Sequence, residues 1–323
     1  MRKKFARCLL VFGLLTATLP AANAQISAIE PEGFSIGMNF GMTDLWGDVG
    51  TQSIIDHYTN DQYTSRVCFT GGMYGRYCIH PAAVVRFGIN YGVYYATDKW
   101  NEDLAFGTMF VEDDAYQRYF RNQTVKTNIW EGNLMLEVNL FRFALSSNAN
   151  LAWRKFTPYF LLGVGYFHYS ARGLVTDPTG SYVNTWVDLY DLNIEADGWF
   201  GTNNRSEREK PWGVQIPLGA GMKWDIGKRF GIGIEYLYRM TFKDQIDGVS
   251  GKYVDPSIFD ANLSAQQAAQ AKSVHDRSSL INPLIKHNKD ELRGNSSVND
   301  GYSSLAITMY FKLNRKTIPW WVP

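Results

Sequence analysis

The chain has no apolar run long enough to cross a bilayer as a helix. The longest, Cys8 to Leu19, falls well short of the ~20 residues that a spanning helix needs, so any membrane residence has to come from strands. Excess charge is missing too: 32 Lys and Arg stand against 31 Asp and Glu, which leaves no footprint for nucleic acid. The five histidines form neither an HExxH pair nor a paired metal spacing, and there is no G-x-S-x-G elbow. No cofactor, no metal and no small-molecule substrate is therefore expected. An enzyme would have to be built at a rim, from Ser53, Asp56 and His57 or from His275, Asp276 and Ser278, but such triples are common in polar loops.

What is present at the N-terminus is an export signal. Arg2, Lys3, Lys4 and Arg7 precede the apolar run, which ends at Ala22-Asn23-Ala24 before Gln25. That is a basic head, a short apolar core and an A-x-A cleavage site, so residues 1–24 read as a signal peptide. Its removal takes four of the 32 basic residues and none of the 31 acidic ones, leaving the mature chain slightly acidic. Aromatic content of 15% with 29 glycines, yet a negative mean hydropathy, fits alternating strands joined by polar loops.

The alternation is clearest in Trp212 to Asp225 and Phe230 to Phe242, joined by Ile226-Gly227-Lys228-Arg229. Trp212, Val214, Ile216, Leu218, Ala220, Met222 and Trp224 make one apolar row with a Trp at each end, whereas the opposite row holds Gln215, Lys223, Asp225 and glycines. In a soluble sandwich the terminal Trp residues would be incidental. In a bilayer they mark the two interfaces, about 25 Å apart. Reading the mature chain with a period of two predicts eight strands, about 34–42, 69–79, 83–95, 127–141, 156–169, 212–225, 229–242 and 302–313. Connections after strands one, three, five and seven are long and the others short or moderate, the pattern of an outer-membrane barrel with long extracellular loops and periplasmic turns. The expected fold is all-β: an eight-stranded antiparallel transmembrane β-barrel spanning 25–323, with outer-membrane lipid around it and a tail at 314–323. The loop segment Leu263 to Lys272 reads as a small surface helix.

An eight-stranded barrel has an interior that side chains just fill. The inward rows supply Arg76, Arg86, Lys223 and Arg239 with Glu137 and Glu235, which read first as a compensated polar network, since unpaired buried charge is costly, and only second as a proton or substrate path. Gly163, Gly219 and Gly231 lie inside strands with no following helix, so they read as small lumen residues making room for Arg and Tyr rather than as a phosphate loop. Cys68 and Cys78, the mature cysteines, are ten residues apart along one extended chain, about 33 Å, too far to bond to each other. In an oxidising compartment, Cys78, at the periplasmic mouth before His80-Pro81, is a candidate for an intermolecular disulfide. The tail NRKTIPWWVP extends past a closing strand, so Trp320 and Trp321 are candidates either for partner contact, with the turn Ala144 to Lys155, or for anchoring in the lipid interface.

Longer segments carry a resemblance: FSIGMNFGMTDLWGDV from Phe34, FTPYFLLGVGYFHY from Phe156, WVDLYDLNIEADG from Trp186, and QIPLGAGMKWDIGKRFGIGIEYLYRMTFKDQIDGVSGKYVDP from Gln215. With them nearly the whole mature chain resembles the PorG family, the outer-membrane barrels of the Bacteroidota type IX secretion system. The resemblance implies a non-enzymatic component that ties a periplasmic ring, made of the lipoprotein PorK and its partner PorN, to the outer membrane. The competing expectations are an OmpA-like structural or adhesive barrel with no secretion role and, less favoured, a lipid-modifying or proteolytic rim enzyme.

Overall fold

A computed structural model describes residues 33–50, 68–80, 82–107, 112–139, 156–175, 185–226 and 229–313. Its strands are β1 Phe34–Trp46, β2 Phe69–His80, β3 Ala83–Thr97, β4 Thr124–Asn139, β5 Phe156–Val175, the short β6 Thr185–Asp188, β7 Trp212–Ile226, β8 Phe230–Thr241 and β9 Gly301–Lys312. Leaving β6 aside, the other eight pair antiparallel in chain order, and β1 pairs with β9 to close the barrel. Closure of these eight strands leaves no edge in the ring they form, as a lipid environment demands, because a backbone group left unpaired in hydrocarbon costs several kcal/mol. β6 adds to the upper part of β5, outside the ring.

Paired residues share a face, so the registers show where the apolar rows go. Met38 stands opposite Met73 and Met309, Leu162 opposite Leu218, and Ile234 opposite Met222 and Ile307. These side chains point outward: Met73 is 68% exposed and Ile234 55%, whereas the next residues along, Tyr74 and Glu235, are 5% and 2% exposed. Such a continuous exposed apolar belt on a closed barrel is a lipid surface. Aromatic rings bound it at both ends. Phe40, Phe69, Tyr91 and Trp130 follow one another around the upper edge, with centroids 6.4, 6.3 and 4.8 Å apart. Below, Phe34 pairs with Tyr77, Phe156 with Trp224, and Phe230 with Phe311. From Trp212 to Trp224 a strand runs about 40 Å, or roughly 28 Å of depth at a ~45° tilt.

Several strands outrun the predicted spans at the end away from the hairpin turns: β1 reaches Trp46, β4 begins at Thr124, and β5 continues to Val175. The alternation that marks a lipid-facing strand stops there, since Thr43, Asp44 and Leu45 are consecutively buried. These extensions support a cap. The connections carry a 3-10 turn (Asp98–Asn101), α1 Glu102–Gly107, α2 Asp114–Arg121, α3 Leu189–Leu192, α4 Ser257–Asn262 and α5 Ala265–His275. Over the upper lumen they bury a core that includes Leu45, Val49, Phe167, Leu189, Ile246 and Phe259. α5 coincides with the small surface helix read at 263–272, whose residues 264–267 and 269 are exposed. Ser264 and Gln267 cap its N-terminus reciprocally, but Ala268, Ala271 and Val274 are buried. The small side chains let the helix lie on β5, where a Cβ on Gly173 would stand 2.6 Å from Val274 and 2.7 Å from Leu189.

Candidate functional site

Alternation aims the polar rows inward, and the register stacks them in tiers. In the lower tier Glu137 of β4 takes Arg76 of β2 at 2.6 Å and Lys223 of β7 at 2.5 Å. The next tier joins Arg86 of β3 to Glu235 of β8 at 2.5 Å, and the Tyr159 hydroxyl donates to the same carboxylate at 2.9 Å. In the upper tier, Glu131 accepts from Arg239 at 2.7 Å, from Gln215 at 2.9 Å, from Asn90 at 3.0 Å and from the Tyr302 hydroxyl at 2.8 Å. The guanidinium of Arg86 also lies 3.8 Å from the Tyr74 ring centroid, and that of Arg76 lies 4.8 Å from Tyr310. At the bottom, Asp225 takes Lys312 at 2.9 Å and the Tyr310 hydroxyl at 2.6 Å.

All six residues singled out for the lumen are buried there: Arg76, Arg86, Glu137, Lys223, Glu235 and Arg239. The structure brings them together in two groups rather than one, and Arg239 goes to a carboxylate absent from that set, Glu131. Its signal was in the sequence, because Glu131 follows the outward Trp130 and so must point in. The glycines also divide. Gly231 leaves room for a tyrosine, Tyr310, as read; Gly163 and Gly219 instead abut Met135 and Leu237, at 2.7 Å from a built Cβ. Met135 and Leu237 form a small apolar plug with Tyr159 and Leu161.

Cys78 is turned inward and 3% exposed, its thiol donating to the His80 carbonyl at 3.3 Å. An intermolecular disulfide at this position therefore requires the mouth to open first. Trp320, Trp321 and the turn 144–155 lie outside the described residues, as do Ser53, Asp56 and His57. His275, Asp276 and Ser278 do not form a relay: Nε2 of His275 accepts from the Val254 amide at 3.1 Å, while the Ser278 hydroxyl donates to Asp276 at 2.6 Å. Burial and the nearby Arg293 charge hold His275 down to about 3, so it stays neutral.

The cap is pinned by buried aspartates that sequence reasoning missed, because only the fold converges them. Asp247 accepts from the amides of Val49 and Val249, both at 2.8 Å, and Asp300 from that of Ile246 at 2.8 Å. Asp48 accepts from the Asn295 amide at 2.6 Å. Burial, then the charge of Asp48, pushes Asp247 up to about 7. Asp244 rises to about 7 through burial and the charge of Asp247, and Asp300 rises well above the usual carboxylate range for the same reasons. Arg121 ties the assembly sideways, to Asp98 at 2.8 Å and to the carbonyl of Asp48 at 2.5 Å. Among the described residues no group of His, Cys, Asp and Glu converges as a metal site would.

No family model matches this chain, and no curated protein matches it either. Among solved structures it is similar to Neisserial surface protein A, with 8% identity over 87% of this chain and 97% of that one at a TM-score of 0.35. It is similar also to the attachment invasion locus protein Ail of Yersinia pestis, with 9% identity over 86% and 96% and a TM-score of 0.33. With OprG of Pseudomonas aeruginosa the identity is 10% over 87% and 97%, with a TM-score of 0.31. Superpositions this loose carry no argument, so the assignment rests on the barrel's own closure, apolar belt and paired aromatic girdles. On those grounds the protein is an eight-stranded antiparallel β-barrel of the outer membrane.

Proposed function

We propose that this barrel is a non-enzymatic anchor of a protein-export machine, holding a periplasmic PorK/PorN ring to the outer membrane in the manner of PorG-like barrels. The observation that carries the reading is the filled interior: three tiers of ion pairs stand between the two mouths, and a folded cap covers the upper one. An eight-stranded barrel of this kind is no conduit, which leaves its two ends and its lipid face to do the work. The sequence resemblance at 34–49, 156–169, 186–198 and 215–256 supplies the particular machine.

Crosslinking in intact cells followed by purification of the barrel tests the proposal. Recovery of PorK and PorN is the expected result; intact cells that yield neither favour the OmpA-like structural or adhesive alternative. Within this reading, the tail with Trp320 and Trp321 makes the periplasmic contact. A chain ending at Asn314 should insert normally and lose the ring, and retention of the ring would assign the tail to the lipid interface.

A further inference from the structure

Beside the cap, α2 and the segment 285–300 enclose an open groove of about 1160 Å³. Its floor is Trp46 of β1 and Tyr238 of β8, whose rings meet edge-on at 6.4 Å. Trp46 donates from Nε1 to Ser303 at 2.9 Å. Tyr238 reaches it across β9 because Gly301 has no side chain in the way, a Cβ there standing 2.8 Å from Cζ of Tyr238. Both rings are outward positions. On the same face Met42 and Leu305 are exposed, and so are Met240 further up β8 and Phe242 just past its end. The floor of the groove is thus continuous with the upper edge of the lipid belt.

The walls are polar and lean acidic, with Asp48, Asp114, Glu291 and Asp300 beside Arg118, Arg121 and Arg293. Arg118 is held by Asp114 at 2.7 Å, Arg121 by Asp98, and Arg293 by Glu195. With the cations already matched, little is left to capture a phosphate. Facing outward are the carboxylates of Asp114 and Glu291, the apolar Leu292 and Val298, and a set of neutral polar groups, Gln117 on one wall and Asn295, Ser296, Ser297 and Asn299 on the other. Aromatic rings lie between them: the half-buried Tyr116 on α2 and the half-buried His287, which stacks on the buried Tyr253 at 4.2 Å and 4°. Amides and hydroxyls can exchange hydrogen bonds with the hydroxyls of a sugar, and a ring face attracts the weakly positive C–H face of a pyranose.

We propose that this groove binds the neutral sugars of an outer-leaflet glycolipid, whose acyl chains pack against the belt below Trp46 and Tyr238. The location decides between a lipid-borne and a soluble glycan, since an occupant reaching the floor meets the belt. Hydrogen exchange of the full-length barrel tests it in phosphatidylcholine nanodiscs, in the same discs containing lipopolysaccharide, and in phosphatidylcholine discs with the delipidated core oligosaccharide in solution. Exchange across 114–121 and 291–299 should slow by roughly tenfold with the glycolipid, as a site near nine-tenths occupancy requires, and not with the free oligosaccharide. The double substitution Tyr116→Ala with Asn299→Ala should abolish the slowing while leaving exchange in the lumen strands unchanged. Equal exchange in all three samples, slowing that survives the double substitution, or equal slowing by the free oligosaccharide would each overturn the proposal.

Discussion

Arg239 of β8 and Glu131 of β4, 108 positions apart in the chain, meet across the lumen at 2.7 Å with the arginine side chain 0% exposed. Two charges that far from water persist only because Gln215, Asn90 and Tyr302 complete the carboxylate's hydrogen bonds. The arrangement makes the interior a set of mutually dependent pairs, and breaking one partner exposes the other's full desolvation penalty.

The lower tier is the sharpest case. Glu137→Leu leaves Arg76 and Lys223 facing each other with no counter-charge, a loss of about 3–5 kcal/mol for a broken buried pair. Denaturant unfolding of the barrel refolded in lipid vesicles should show a clearly lower midpoint, and replacing Arg76 and Lys223 by Leu as well should recover much of it. An unchanged midpoint for the single variant would mean that water reaches this tier.

The belt predicts a different failure. Ile234 lies between Met222 and Ile307 on the exposed face, and Leu218 lies on the same face of β7. Either residue changed to Arg should cost about 2–4 kcal/mol near the bilayer midplane and reduce the amount of assembled barrel in outer-membrane fractions. Normal levels of both variants would contradict the assigned faces.

The cap should loosen with rising pH. Asp244 and Asp247 are held up to about 7, against about 3.9 in an unfolded chain. Between those values the folded cap binds more protons, so the stability they give is greatest at low pH and is lost as pH rises through 7. His275, held down to about 3, acts in the opposite direction, but only below its unfolded value of about 6.5. From pH 6.5 to 8.5 the aspartates act alone. Amide exchange at Ile246 and Val249, corrected for intrinsic base catalysis, should speed up across that interval, and Asp247→Asn should flatten the profile. No corrected change in the wild type would show that these groups keep their protons.

The Cys78 thiol is shielded by its position. In the folded barrel a membrane-impermeant maleimide should label it far more slowly than in denaturant. A thiol-sensitive adduct on non-reducing electrophoresis, lost in Cys78→Ala, would show instead that the periplasmic mouth opens towards a partner.

How much of this was written in the sequence follows from what alternation can encode. A period of two states which side chains face lipid, and lipid tolerates no exceptions, so Ile234, Leu218 and the inward Arg76, Arg86, Glu137, Lys223, Glu235 and Arg239 were readable without coordinates. Strand number and the sense of the two ends followed from turn lengths. Alternation is silent about depth and about partners across the lumen. That Arg239 finds Glu131, and that Arg76 and Lys223 share Glu137, depends on the stagger of strands far apart in the chain. It is silent also above the membrane, where protein replaces lipid on the outer face and Thr43, Asp44 and Leu45 are all buried. The cap, its raised aspartates and the groove between α2 and 285–300 are assembled from loops with no common period. Their convergence was decided by tertiary packing alone, because only a closed barrel brings the ends of eight separate strands within reach of one another.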